Sequence, residues 1–458
     1  MNAEASGRRH RIRVLLICCL SLFIVGIDIT AVNVALPSIG RDLDAGVSGL
    51  QWTVDAYTVV LASLLMLGGS TGDRLGRRRV FVVGLVVFSV ASLLCSVAPS
   101  VGLLVAFRAL QAVGGAMLNP VAMSIIANTF TDPRERAQAV GVWGAGFGIS
   151  MALGPIVGGT LVDAIGWRAI FWLNLPVGLA AIALTLRYVP ESRAPRPRRL
   201  DPVGQLLVIV LLASLTFGII EGVDAAFVAS AAALLGLLRY EPRREEPLVD
   251  LRFFRSIPFA SSIAICVAAF SAFGGFLFLN TLYLQQQRGL SPLQAGLVTV
   301  PVAVMIVAAS PLSGRIVGRR GPRLPLVIAG IGLIVGCAML TGIDAATSLG
   351  WLIAAYVVLG LGFGLVNAPI TNAAVSGMPR AQAGVAAAVA TTSRQVGQTL
   401  GVAVVGAIVA SGDGSSAWWT LAACGAVVLV LAFVATAARA RESARRTAAA
   451  LNPEALAA

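Results

Sequence analysis

Few side chains of this sequence stand where they can do chemistry inside its long apolar runs. Asp28, in Ile-Val-Gly-Ile-Asp28-Ile-Thr, and Arg108, in Val-Ala-Phe-Arg108-Ala-Leu, are two of them. A charge in hydrocarbon costs about 2.5 to 3.5 kcal/mol on insertion scales, so each must face a partner, water or a protein interior. Counted at 1.5 Å per residue, Asp28 lies roughly eight residues and Arg108 about six from the same outer boundary, so their depths match. An acid held there is pulled two ways, because burial disfavours its charge and a guanidinium favours it, and such an acid is suited to exchanging a proton. The same pair can equally be read as a fixed tie between two helices, though an expensive one in lipid. Gln111 shares a helix face with Arg108, and Asn33 is placed to extend a polar network with them or to act as glue between helices. Asp55, in Trp52-Thr-Val-Asp55-Ala-Tyr57, falls near the outer end of its run, within reach of water. Trp52 and Tyr57 then offer aromatic faces to a cation, or form an interfacial belt with an incidental acid. Arg394, with Gln398 one turn on, places a second cation inside a late apolar run, where lining a pathway and packing are equal readings.

Other chemistry is missing from the sequence. The single histidine, His10, precedes the first apolar run, so no histidine-based metal site or Ser-His or Cys-His pair is available within the runs. Cys18, Cys19, Cys95, Cys266, Cys337 and Cys424 all lie in or beside apolar segments without metal or redox spacing, and read as small hydrophobes. All basic residues are arginines, so no Gly-rich nucleotide loop ending in Lys can form and direct ATP drive within the chain is excluded. No metal, cofactor or enzyme activity is expected.

The elements that must position these residues are membrane helices. Of 458 residues, 57% are hydrophobic and 12% charged, whereas soluble domains carry about a quarter charged residues. A hydrocarbon core of about 30 Å needs roughly 20 apolar residues per crossing, and fourteen such runs are found, the first over 14–36 and the last over 416–438. The net charge of +13 resembles a nucleic-acid footprint, but its arginines sit in short clusters between runs, as a topology signal does. Arg8 to Arg13, Arg74 with Arg77 to Arg79, Arg134 and Arg136, Arg187 to Arg199, Arg239 to Arg255, Arg315 to Arg323, Arg380 and Arg439 to Arg446 fall on one side. The other side has only Arg41, Arg168 and Arg288. Both termini are therefore expected in the cytoplasm.

The loop after the second run, Gly69-Ser-Thr-Gly-Asp73-Arg74-Leu-Gly76-Arg77-Arg78, overlays the one after the tenth, Gly314-Arg-Ile-Val-Gly318-Arg319-Arg-Gly321-Pro-Arg323. The repeat predicts two six-helix halves: a tail over 1–13, a first half over 14–200, two inserted helices and a linker over 201–258, a second half over 259–438 and a tail over 439–458. Parallel repeats of this kind place a substrate site at their interface, near mid-membrane.

On these features the chain resembles the major facilitator superfamily, within it the fourteen-helix drug:proton antiporter branch. The Gly69–Arg78 loop is similar to the superfamily's motif A, with Gly318 replacing the acid of its second copy. Asp28-Ile-Thr-Ala-Val-Asn33-Val-Ala-Leu-Pro37 is similar to the branch signature, and Arg108-Ala-Leu-Gln111-Ala112-Val-Gly114 to motif B. Gly154-Pro155-Ile-Val-Gly158-Gly159 is similar to the antiporter motif C, with Ser150 at its usual first Gly, and Gly166-Trp-Arg-Ala-Ile-Phe-Trp-Leu-Asn174 also resembles the branch.

The resemblance implies an all-α, multi-pass transporter of the bacterial inner membrane. It would export small lipophilic, cationic compounds in exchange for protons, as a monomer among membrane lipids, without nucleic acid. Asp73 would latch the halves together through arginines or a helix N-terminus, and Pro155 with its small neighbours would form a hinge and seal. The alternatives are a proton-coupled importer of the same fold and a non-transporting sensor or lipid-handling protein, for which a titratable Asp28 is unnecessary.

Overall fold

The computed structural model describes residues 2–195, 200–244, 246–375, 383–412 and 414–451. Arg196, Arg198, Arg199 and Arg380 of the expected topology clusters, and the chain end over 452–458, lie outside the described residues. Every regular element among them is helical. The α-helices are α1 (Asn2–Asp42), α2 (Val47–Leu75), α3 (Arg77–Ser96), α4 (Val101–Thr129), α5 (Pro133–Ala164), α6 (Arg168–Tyr188), α7 (Pro202–Glu221) and α8 (Asp224–Tyr240). They continue with α9 (Ile257–Leu282), α10 (Pro292–Arg320), α11 (Arg323–Met339), α12 (Leu349–Val375), α13 (Ala383–Ala410), α14 (Gly414–Thr436) and α15 (Ala438–Leu451).

Eleven spans among the described residues are long and apolar enough to cross a membrane. Three of the expected crossings fall short for physical reasons. Both α8 and α11 have 17 residues, which at 1.5 Å each reach about 26 Å. The 28-residue α13 carries Ser393, Arg394, Gln395, Gln398 and Thr399 near its middle, which lowers its mean hydropathy.

Local chemistry fixes the turns between helices. Ser100 caps α4 by accepting the Leu103 N–H, and the Asp132 carboxylate accepts the N–H groups of Arg134 and Glu135 at the start of α5, each at 2.9 Å. Gly76 has φ +116°, which lets α2 end and α3 begin one residue apart. The tail expected over 439–458 includes a helix, α15, which packs on α9. There the Ser443 hydroxyl accepts the Ile257 N–H at 3.0 Å and satisfies the start of α9.

The chain divides into two compact units. The first comprises Met1–Gln205 with Gly289–Leu297, the second Leu206–Arg288 with Val298–Ala458. In the first unit α1 packs on α4, α5 and α6, and α3 on α4 and α6. In the second, α9 packs on α12, α13 and α14, and α11 on α12 and α14. Each of these five pairings of the first unit recurs eight helices later. Helices α7 and α8 fall in the second unit except for the first four residues of α7, and the Ser230 hydroxyl of α8 donates to the Leu211 carbonyl of α7.

Candidate functional site: a buried ion pair in the first unit

Helices α1, α2, α3, α4 and α6 bring one polar cluster together within the apolar interior. Asp28 is fully buried and Arg108 is 1% exposed. The Arg108 Nη1 donates to Asp28 Oδ2 at 2.5 Å and to Gln111 Oε1 at 2.6 Å, and its Nε donates to the Thr53 carbonyl at 3.2 Å. The other carboxylate oxygen, Asp28 Oδ1, accepts from Gln111 Nε2 at 2.9 Å and Asn174 Nδ2 at 3.0 Å. Ser92 Oγ accepts from Asn174 at 2.9 Å and Gln111 at 3.4 Å, and donates to the Phe171 carbonyl at 2.9 Å. The Tyr57 ring covers the guanidinium, 4.3 Å from its centre, and Phe171 lies 5.9 Å away. Two charges taken out of water must be matched by each other and by further hydrogen bonds, and both Asp28 oxygens are matched here.

Asp28, Arg108 and Gln111 therefore meet as their spacing predicts, but Asn33 does not join them. Its Nδ2 donates to the Ile29 carbonyl of its own helix at 2.8 Å, and its Oδ1 has no partner. Asn174 and Ser92 take the place assigned to it. A signal for Asn174 was present, since a lone amide in an apolar run seeks a partner in the bundle. Ser92 stands among small residues and gives no such signal.

Asp55 is also corrected. It lies eight residues inside the first residue of α2, about 12 Å along the axis, and packing of α2 on α4 leaves it fully buried instead of near water. Its Oδ1 accepts the Thr58 hydroxyl at 3.3 Å, and Oδ2 has no hydrogen-bond partner among the described residues. The Tyr57 face expected for a substrate cation is occupied by Arg108, whereas Trp52 is half-buried on the same helix.

The Gly69–Arg78 loop is tied locally. Asp73 Oδ1 accepts Arg77 Nε at 2.9 Å, Arg74 is exposed, and Gly69 lies over Pro120 of α4. The acid beside the loop that sequence reading passed over is Glu191. Its carboxylate accepts the Arg78 N–H at 3.1 Å and the Arg79 N–H at 3.2 Å, at the positive start of α3. The Arg77 N–H donates to the Ser192 carbonyl at 2.9 Å, and Arg78 Nη1 reaches the Val189 carbonyl at 3.5 Å. A Cβ on Gly76 would stand 2.7 Å from Glu191 Oε1.

Along α5, Gly154 and Gly158 face α1 so closely that a Cβ would stand 1.7 Å from Thr30 Oγ1 or 2.8 Å from the Ala31 Cα. Gly159 lies against the Pro292 carbonyl at 2.6 Å by the same measure. Pro155 stands inside the continuous α5, where it cannot donate a backbone hydrogen bond. In the second unit, Arg394 lies on α13 with its Nη2 donating to Thr371 Oγ1 of α12 at 3.2 Å.

A multi-helix membrane protein with a repeated six-helix pattern, a buried acid–base pair in one repeat and close-packed glycines beside it has the make-up of a transporter. Residues 18–402 match the Major Facilitator Superfamily, and the chain belongs to that family. It is 36% identical over 417 residues to the multidrug resistance protein Stp of Mycobacterium tuberculosis, covering 88% of this chain and 76% of the relative. It is 37% identical over 425 residues to the tetracenomycin C resistance and export protein of Streptomyces glaucescens, covering 90% and 78%. The multidrug efflux pump LfrA of Mycolicibacterium smegmatis is 36% identical over 402 residues, covering 86% and 80%. The fold is similar to that of a POT family transporter crystallised with 5-aminolevulinic acid, with TM-score 0.70, 16% identity and 93% and 95% of the two chains covered. The chain is thus a multi-pass membrane transporter of that family and not an enzyme, and the relatives it matches are resistance proteins and efflux pumps.

Proposed function

We propose that this protein exports small lipophilic compounds across a bacterial cytoplasmic membrane in exchange for protons. The observation that carries the reading is the fully buried Asp28 carboxylate, held at once by Arg108, Gln111 and Asn174. A proton arriving at Asp28 cancels its charge and weakens its hold on Arg108, which is then held only by the Thr53 carbonyl, Gln111 Oε1 and the Tyr57 face it already meets. Proton binding becomes a rearrangement of α1 against α4. The chain crosses the membrane fourteen times with both ends in the cytoplasm, works as a monomer in contact with lipids, and presents its substrate site alternately to the two sides.

Asp55 meets the positive group of a cationic substrate, since its Oδ2 is the carboxylate oxygen in α2 that no protein cation engages. Gly154, Gly158 and Gly159 with Pro155 let α5 slide as a close-fitting surface. The Gly69–Arg78 loop, tied by Asp73 and Glu191, works as the cytoplasmic gate. One pH unit supplies about 1.36 kcal/mol per proton and 100 mV about 2.3 kcal/mol per charge moved. Inside-out vesicles with a pH gradient provide the test. Lipophilic cations release protons through the wild type and not through Asp28→Asn. If no lipophilic compound moves protons through folded wild-type protein, proton-coupled export is wrong.

A further inference from the structure

Arg394 stands near the middle of α13, and no carboxylate pairs with it among the described residues. Helices α9 through α14 contain no Asp or Glu. The contrast with Arg108 is one of charge: the arginine of the first unit pairs with Asp28, and that of the second meets the Thr371 hydroxyl, the Cys266 thiol and the Phe270 face, all of them neutral. The Arg394 Nε is buried without a hydrogen-bond partner, as are Asn367 Oδ1, one turn before Thr371 on α12, and Thr392 Oγ1 beside it on α13. A guanidinium left unpaired at such depth is costly, and intramembrane charges of this kind mark ligand sites.

Its surroundings define the chemistry that fits. Phe270 of α9 lies 5.6 Å below the guanidinium centre and is partly exposed. It leads to Phe273 at 6.4 Å, which in turn meets Phe363 of α12 edge-on at 5.0 Å. A planar, five-donor cation beside aromatic edges suits a flat aromatic body bearing a carboxylate, which the guanidinium grips with two parallel hydrogen bonds.

We propose that Arg394 is a binding residue for the acidic group of transported aromatic compounds, so that lipophilic aromatic acids are substrates in addition to cations. The inference rests on the export reading for the fate of the ligand, but binding itself needs no proton gradient. Purified full-length protein in phosphatidylcholine nanodiscs is titrated with 1-hydroxy-2-naphthoate and, separately, with its uncharged methyl ester. Wild type binds the acid more tightly than the ester by about tenfold or more, the worth of a charge-assisted hydrogen bond. Arg394→Lys keeps part of that preference and Arg394→Gln removes it while still binding the ester. Because each variant is judged by its own acid-to-ester ratio, a loss of folded protein does not imitate the result. A wild type without preference for the acid, or an Arg394→Gln variant that retains it, overturns the proposal. Ethidium-driven proton release in vesicles, measured alongside, tests the export reading independently.

Discussion

Breaking the buried ion pair from each side and then from both sides separates its structural work from its transport work. In Asp28→Asn the guanidinium of Arg108 stays buried with no anion, a situation that costs about 3–5 kcal/mol in protein interiors. Three features keep the value near the lower end: the Tyr57 face at 4.3 Å, the Thr53 carbonyl and Gln111 Oε1 all still face the cation. A loss of about 3 kcal/mol in a cooperative unit of some 200 residues lowers the melting temperature by roughly 6–12 °C. Arg108→Gln, which strands the carboxylate, falls similarly. The double variant Asp28→Asn with Arg108→Gln has no net charge to bury and retains amides able to pair, so it recovers most of the loss, with a coupling of about 2–3 kcal/mol. The protein carries its own reporter, since Cys18, Cys95, Cys266 and Cys337 are free and buried, and a thiol-reactive dye lights up as they are exposed. The double variant regains stability and not substrate-driven proton release, because the titrating acid is gone. If its stability equals the sum of the two single losses, the pair does not govern this interior; if it regains transport as well, Asp28 is a structural tie and the coupling reading fails.

Gly154→Ala forces a Cβ to within 1.7 Å of Thr30 Oγ1, so α5 moves off α1 at a cost of about 1–3 kcal/mol, seen as a lower melting temperature and slower export. Gly76→Ala sets a side chain at φ +116° against Glu191, and loses about 1–3 kcal/mol; Gly314→Ala, with open space at its Cβ, serves as the silent control. Ser443→Ala removes the acceptor for the Ile257 N–H and costs about 1 kcal/mol, while Ser443→Asp restores it; thermal shifts of the two variants report the difference. Asp55→Asn strands no cation and so does not lower the melting temperature, yet raises the concentration of cationic substrate needed for half-maximal proton release without changing that for neutral ones.

How much of this was legible in the sequence differs between backbone and side chains. Helix positions followed from apolar runs and arginine clusters, because lipid leaves the backbone no other way to satisfy its hydrogen bonds. The repeat followed from one loop written twice, and recurs as the same pairings around α1 and α9. The meeting of Asp28 with Arg108 was legible because two opposite charges at one depth have little else to bind. Asn33 and Asn174 were not separable by type, since both are amides in apolar runs. Which of them reaches Asp28 depends on rotation of α1 and α6 about their axes, and that is decided by packing of small residues such as Gly178 against Ser89. Asp55 was misjudged because its depth was counted from the start of an apolar run read as 50–70, whereas α2 begins three residues earlier, at Val47.

The two repeats share a fold and divide the chemistry. Where α1 meets α4, the contact is an ion pair; where the corresponding α9 meets α12, the Tyr356 hydroxyl donates to Asn280 Oδ1 and no ion pair is formed among the described residues. A neutral hydrogen bond does not change when a proton arrives, so the second unit has nothing at this junction through which the proton gradient could act. Its one mid-helix charge on α13, Arg394, has no carboxylate in the surrounding helices. On the export reading proposed above, proton sensing belongs to the first unit, and the second holds a ligand whose charge does not compete with the proton for Asp28. An exporter arranged this way accepts acids and cations alike without losing coupling. Replacing Asn280 by Asp would place a second titratable group opposite Tyr356 and is expected to make the acid-to-ester binding ratio of the second unit vary with pH more steeply than in the wild type.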